Sequence, residues 1–238
     1  LAQTINYFNY KLSFAQANNK KLTATIISIF SDDNLTIKNN DANAKSIPVL
    51  LYHGIIEEPD GENMLIDNFR DQMFALKKAG WQTISIEDFY AFMQGAKELP
   101  DKSFLLTFDD GRKDSYYPVD PILKALNYRA VIYIITGRSF SDDPKMQKHP
   151  FHLNEAEIKK MHKSGRWDIQ AHTKEGHDFY PINGTGGKGH FYSNKLWLSD
   201  KNRIETNEEF HGRIHDDFLG AKEDIEKKIG NKVVSFAF

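Results

Sequence analysis

The run Phe104-Leu-Leu-Thr-Phe-Asp-Asp-Gly111 joins a mostly apolar segment to an acidic turn. A short run of this kind, without alternation of apolar and polar residues, predicts a strand that is buried on both faces. In a continuing strand the two aspartates would point to opposite faces, but a glycine that ends the strand lets both carboxylates turn toward one place. The run therefore predicts a buried strand with reactive groups at its carboxyl end.

Similar apolar runs lie on both sides of this one. They cover residues 49–53, 83–86, 130–135, 167–171 and 233–238. Stretches with helical spacing of apolar residues lie between them, at 66–79, 86–95, 121–127, 154–164 and 217–230. Buried strands that alternate with helices are typical of an α/β fold with a parallel sheet. About six such units favour a parallel (β/α) barrel, in which the chemistry belongs at the carboxyl ends of the strands.

Composition excludes several classes of function. The chain has 31 Lys and Arg against 33 Asp and Glu, so its net charge of −2 provides no general attraction for nucleic acid. It has no cysteine, so a bound metal must use His, Asp and Glu side chains. The longest apolar run, 130–135, is much shorter than the ~18 residues of a membrane-spanning helix, and no membrane span is predicted.

A change of composition divides the chain. Residues 31–46 are dominated by Asn, Asp, Ser and Lys, which is typical of a linker or exposed loop. We therefore predict an accessory segment with its linker at 1–46 and one main domain at 47–238. The first residue is Leu1 and not methionine, so we expect that an upstream segment has been processed or trimmed, and a signal or anchor sequence is one candidate for it.

Two further strands end in histidines. The first run leads to His53, and the run at 167–171 leads to His172, with His177 five residues later. A helix would separate His172 and His177 by about 140°, whereas a turn through Gly176 would bring both imidazoles to one metal. One carboxylate and two histidines leave open positions on a divalent cation, which is typical of a catalytic metal site.

The run Thr107-Phe-Asp-Asp-Gly111, followed by His172-Thr-Lys-Glu-Gly-His177, resembles the polysaccharide deacetylases with a NodB-homology domain, the fourth carbohydrate esterase family. Most of that family spaces the two histidines four apart. The five-residue spacing and the Val-Leu-Leu-Tyr-His-Gly run at 49–54 are closer to the branch that de-N-acetylates poly-N-acetylglucosamine, and so is the Arg-Ile-Glu-Thr-Asn-Glu-Glu-Phe run at 203–210. The resemblance implies a distorted (β/α) barrel over 47–238. The family continues past the residues that match here, so we expect this domain to be C-terminally incomplete.

The resemblance also implies residue roles. Asp110, His172 and His177 would bind one divalent metal, with zinc expected and nickel or cobalt as alternatives. Asp109 would be the catalytic base and His53 the general acid. The expected reaction is removal of N-acetyl groups from an N-acetylglucosamine polysaccharide by a secreted or cell-surface bacterial enzyme. These roles suit the chemistry, because amide hydrolysis needs a polarised carbonyl, a base for water and an acid for the departing amine.

Two other interpretations stay open. Two histidines and a carboxylate also suit a non-haem iron oxygenase, although those sites usually lie in antiparallel jelly rolls. A catalytically silent carbohydrate-binding or scaffold domain of the same fold is the second alternative. We interpret His211 and His215 as a solvated helix face, His149 and His152 as surface residues, and 178–202 as a long loop with a non-functional glycine motif at 184–189.

Overall fold

The computed structural model describes residues 42–238. The predicted accessory segment therefore lies outside the described residues, apart from residues 42–46. This short end is attached to the rest of the structure, because the Ala44 N–H donates to the Leu99 carbonyl at 2.8 Å and the Asp101 N–H donates to the Ala42 carbonyl at 3.0 Å. The domain boundary at residue 46 stays a prediction.

The described chain contains short strands and helices, and helices separate the strands between residues 64 and 173. The strands are β1 (Val49–Tyr52), β2 (Ile55–Ile56), β3 (Met64–Leu65), β4 (Gln82–Thr83), β5 (Ser103–Phe108), β6 (Ala130–Ile135), β7 (Trp167–Thr173), β8 (Phe179–Pro181), β9 (Lys188–His190), β10 (Trp197–Leu198) and β11 (Arg203–Ile204). The helices are α1 (Ile66–Lys78), α2 (Ile86–Met93), α3 (Lys113–Tyr116), α4 (Asp120–Leu126), α5 (Thr136–Ser139), α6 (Pro144–Gln147), α7 (Glu155–Lys163) and α8 (Asn207–Ile229).

The main sheet is parallel. Its strands lie in the order β1-β5-β6-β7, and β4 pairs with the start of β5. In the register of this sheet Tyr52 lies beside Phe108, and Val131 beside both Thr107 and Asp168. Because the strands run in one direction, the residues that follow β1, β5 and β7 all leave the sheet at the same edge. The predicted α/β fold with a parallel sheet is confirmed.

Burial on both faces explains why the central strands lack alternation. Every residue of β5 and β6 is buried. Alternate side chains enter two different cores. The larger core takes Phe104, Leu106, Phe108, Ala130, Ile132 and Ile134, and the smaller core takes Leu105, Val131 and Tyr133. Helices pack against the larger core, including Phe69 and Met73 of α1, so both faces of these strands are covered and their residues are mostly apolar.

The predicted strand at 233–238 is wrong. Only Phe236 pairs with the sheet there, as a single parallel bridge to Ala171 of β7. The amides of Val234 and Ser235 instead donate to the side-chain oxygen Oε1 of Gln170, at 2.9 and 3.1 Å. The buried Gln170 side chain therefore accepts hydrogen bonds that backbone carbonyls of a neighbouring strand would accept in a sheet.

Two further segments differ from the sequence prediction. The last helix, predicted at 217–230, begins at Asn207, because Thr206 and Glu209 form a capping box and define an earlier start. Its end at Gly230, which is left-handed with φ +78°, is as predicted. The region 178–202, predicted as a loop, contains the antiparallel pair β8–β9 and the first strand of the pair β10–β11. None of the helices within 42–238 has the length and apolarity needed to cross a bilayer.

Candidate active site

Two acidic residues follow β5, and the backbone turns sharply at this point. Asp110 and Gly111 both have left-handed conformations, with φ of +70° and +62°. Aspartate and glycine tolerate this region better than most residues, which explains the local sequence. The Asp109 N–H still donates to the Tyr52 carbonyl at 3.1 Å, so the sheet holds the chain up to the turn. The two carboxylates thus leave the strand at its carboxyl end, as predicted.

The histidines lie at the end of β7 and in the turn that follows. His172 is buried, and its Nδ1 lies 2.6 Å from the Ala237 carbonyl oxygen. A carbonyl can only accept, so Nδ1 carries the proton and Nε2 is left as an electron-pair donor. His177 follows a non-helical turn through Gly176, and its side chain is 38% exposed. The turn brings the two rings to a centroid distance of 5.3 Å.

Asp110, His172 and His177 meet at one point. One ligand atom from each lies within 4.8 Å of the other two. Oδ1 of Asp110 is 3.3 Å from Nε2 of His172 and 3.0 Å from Nε2 of His177, yet this buried oxygen makes no hydrogen bond of good geometry. A buried carboxylate oxygen that faces two imidazole nitrogens is satisfied by a cation between them. One oxygen and two nitrogens suit a divalent transition metal and leave coordination positions open.

The two aspartates differ in their electrostatics. Burial raises the pKa of Asp110, but the imidazoles of His172 and His177 outweigh it and hold this pKa well below its usual range. Burial also raises the pKa of Asp109, and here the neighbouring histidines offset it only in part. Oδ1 of Asp109 is buried without a hydrogen-bond partner. Asp110 is therefore a committed anion, whereas Asp109 is a carboxylate with affinity for a proton.

His53 lies on the same edge of the sheet. It follows Tyr52, whose partner in the register is Phe108, so His53 and Asp109 leave adjacent strands side by side. The ring is exposed, and its charge lowers the pKa of Asp109. The backbone of His53 is held in place, because the buried Ser115 hydroxyl donates to the His53 carbonyl at 2.6 Å.

Comparison with known proteins agrees with this geometry. The sequence model of the polysaccharide deacetylase family matches residues 96–238, which is more than half of the chain. The chain belongs to the polysaccharide deacetylase family. The poly-beta-1,6-N-acetyl-D-glucosamine N-deacetylase of Escherichia coli K12 is 31% identical over 190 residues, which cover 75% of this chain and 28% of that protein. The enzyme of the same name from Staphylococcus aureus MRSA252 is 28% identical over 114 residues, or 46% of this chain and 37% of that protein.

Solved structures of deacetylases have the same fold. A de-N-acetylase from Aggregatibacter actinomycetemcomitans has a TM-score of 0.67 and 25% identity, covering 79% of this chain and 76% of that one. The deacetylase domain of BpsB from Bordetella bronchiseptica has a TM-score of 0.66 and 23% identity, covering 80% and 78%. The shared fold confirms the predicted (β/α) barrel class. The named Escherichia coli relative confirms the resemblance to the poly-N-acetylglucosamine branch. The chain spans only about 28% of the length of the Escherichia coli relative.

The interpretation of His152 as a surface residue is wrong. His152 is buried, in a segment whose backbone bridges to Arg112 just after the acidic turn. Its Nε2 lies 3.1 Å from Nη1 of Arg138, whose other terminal nitrogen pairs with Asp178 at 2.6 Å. Burial and the charges of Arg138 and His149 lower the pKa of His152 to about 4. In this polysaccharide deacetylase, Arg138 therefore links His152, whose segment pairs with Arg112, to Asp178, the residue that follows His177.

Other histidines are not part of this site. His211 and His215 lie exposed on α8, and the His215 side chain is 71% exposed, as the solvated-face interpretation predicts. Within 42–238, Asp110, His172 and His177 are the one group of three His, Asp or Glu side chains that could hold a metal. The glycines at 184–189 lie in and beside the turn between β8 and β9 and follow no strand of the parallel sheet.

Proposed function

We propose that this member of the family is a metal-dependent de-N-acetylase that acts on N-acetylglucosamine units of an extracellular polysaccharide. The observation that carries the proposal is the convergence of Asp110, His172 and His177 on one point, with Asp109 and His53 beside it. The relatives are named for poly-beta-1,6-N-acetyl-D-glucosamine, so this polymer is the first substrate to test. Such a substrate requires an exported or cell-surface enzyme, and we assign the activity to the domain at 47–238.

The donor set fits a divalent ion, with zinc as the first choice and nickel or cobalt as alternatives. When bound, such an ion would polarise the amide carbonyl and make water more acidic. Asp110 supplies the anionic ligand, and its low pKa keeps it ionised. His172 presents Nε2 because Nδ1 donates to the Ala237 carbonyl. His177 completes the set from the turn.

Asp109 and His53 divide the proton transfers. Asp109 takes a proton from the attacking water, for which its buried and unpartnered Oδ1 and raised pKa are suited. The oxygen of that water forms a bond to the amide carbon, and the carbon–nitrogen bond breaks. His53 gives its proton to the departing nitrogen. The products are acetate and a glucosamine unit with a free amine.

Acetate release tests the proposal. We expect a protein that contains residues 1–238 to release acetate from β-1,6-linked N-acetylglucosamine oligomers, to lose this activity after chelation, and to regain it with zinc, nickel or cobalt. A β-1,4-linked oligomer of the same length is the matched substrate control. Oligomer binding without acetate release from either polymer, in metal-loaded protein, would instead support the silent carbohydrate-binding domain.

A further inference from the structure

The turn between the two metal-site histidines is held by a side chain from the last helix. Asp217 of α8 is buried, at 6% exposure. Its Oδ2 accepts the Lys174 N–H at 2.9 Å, and its Oδ1 accepts the Glu175 N–H at 2.7 Å. A single carboxylate thus binds two successive backbone amides of the turn that connects His172 to His177.

The carbonyl groups of these two residues also have hydrogen-bond partners. The Lys174 carbonyl accepts the Gly137 N–H at 3.0 Å. The Glu175 carbonyl accepts the Tyr180 hydroxyl at 2.7 Å. Both peptide groups therefore have fixed partners on three different elements, so the turn is held in one conformation.

Tyr192 connects Asp217 to Gly176, the last residue of the turn before His177. Its hydroxyl donates to Oδ2 of Asp217 at 2.5 Å. Its ring lies so close to Gly176 that a Cβ there would be 2.6 Å from Cζ and Oη of the tyrosine. The tyrosine held by Asp217 therefore packs against the residue that immediately precedes His177.

Only a carboxylate satisfies these three donors. Two N–H groups and one phenol all need acceptors, and an ionised aspartate offers lone pairs on both oxygens. An asparagine of the same shape would direct an NH₂ group at one of the donors and leave that amide unpaired. Charge-assisted hydrogen bonds of this kind are also stronger than those of a neutral acceptor.

We infer that Asp217 is a positioning residue for the metal site, which fixes the 174–176 turn so that the His177 imidazole meets Asp110 and His172. The inference rests on the proposed metal-dependent function and deepens it. It explains how two histidines that are five residues apart can bind the same metal, because Asp217 of α8 fixes the conformation of the turn between them. The effect of such an outer partner on metal affinity is typically about 10–100-fold.

The test compares Asp217→Asn with Asp216→Asn. Asp216 is the adjacent residue on α8, its side chain is 82% exposed, and it lies outside the site, so it is the matched control. We expect Asp217→Asn to weaken Zn²⁺ binding, measured by competition with a chelating dye, by about 10–100-fold, and to alter the absorption spectrum of the Co²⁺ form. The control should keep both properties. The free energy of unfolding of the metal-free proteins is measured alongside.

Tyr192→Phe provides a second variant, since it keeps the ring but removes one hydrogen bond to Asp217. We expect a smaller loss of Zn²⁺ affinity, a few-fold, and this variant decides the matter if Asp217→Asn does not fold. Unchanged Zn²⁺ affinity and Co²⁺ spectrum in the folded variants would overturn the inference, even if their stability falls. Wild-type protein that binds metal but releases no acetate would contradict the proposed function and leave the role of Asp217 standing.

Discussion

Asp110 reaches the proposed metal site from the end of β5, whereas His177 reaches it from a turn after β7. The first is held by its own strand, because the backbone is paired up to Asp109 and then turns through two left-handed residues. The second is held from a distance, through the bonds from Asp217 to the 174–176 turn. His177 is also more exposed, at 38% of its side chain against 12% for Asp110.

In the proposed metal site, local backbone geometry therefore positions one ligand, Asp110, and tertiary contacts position another, His177. The β5 end tolerates little change because the buried strand and the turn allow one arrangement. The β7 turn depends on partners from α5, α8 and the 178–202 region. Substitutions at the β5 end and in the β7 turn should therefore have different effects on metal binding and stability.

The largest effect is expected from Asp110→Asn, which removes the anionic ligand at the rigid end. Metal affinity should fall by far more than the roughly 10–100-fold that loss of an outer partner causes, and acetate release should disappear. Asp109→Asn should keep one metal per chain and lose activity by about 10²–10⁴-fold in kcat. Elemental analysis and acetate release check both variants. An Asp110→Asn protein with full metal content would remove Asp110 from the ligand set.

His53→Ala tests the third strand that ends at this edge. If His53 protonates the departing amine, kcat should fall by about 10²–10⁴-fold with metal content preserved. His190→Ala is the control, because this exposed histidine on β9 packs against Phe179. Loss of metal from His53→Ala would instead make His53 a ligand.

Gly111→Ala measures how rigid the β5 end is. Its Cβ would lie 3.2 Å from Cγ2 and 3.4 Å from the backbone Cα of Ile134, in addition to the left-handed strain. Gly165→Ala has the same strain at φ +71° but meets nothing within 4 Å, so it should cost about 1–2 kcal/mol. We expect Gly111→Ala to cost a further ~1–3 kcal/mol in the free energy of unfolding, measured with urea. Equal losses would show that the β5 end can adjust.

The smallest effect is expected from the double variant His211→Ala with His215→Ala. Both histidines are exposed on α8, the helix that carries Asp217, but they belong to no metal group among residues 42–238. Zn²⁺ affinity and acetate release should remain within error of wild type. A drop in bound metal would reveal a second site on this helix and break the contrast between the two ligand segments.

Sequence patterns predicted the central part of the fold, because strands that are buried on both faces lack the alternation of apolar and polar residues. Phe104 to Phe108 and 130–135 show no alternation, and both are fully buried strands in the parallel sheet. The same criterion failed at 233–238, where an apolar run suggested a strand. Apolar content reports burial but not pairing, and the amides there bond to the side chain of Gln170.

The sequence by itself determined which groups lie at the edge of the sheet. An acidic pair before glycine, and histidines after apolar runs, are local signals that place Asp109, Asp110, His53 and His172 at strand ends. The spacing of His172 and His177 indicated a turn. These predictions hold because strand direction and side-chain chemistry are properties of short segments.

Only the tertiary structure decided how the groups are oriented. The tautomer of His172 depends on the backbone carbonyl of Ala237, a group that every residue carries and that leaves no mark in a sequence. The turn before His177 depends on Asp217, which looks like any acidic residue on a helix until its burial is known. Such partners are far apart in the chain and meet through packing, so their hydrogen bonds follow from the folded arrangement and not from local pattern.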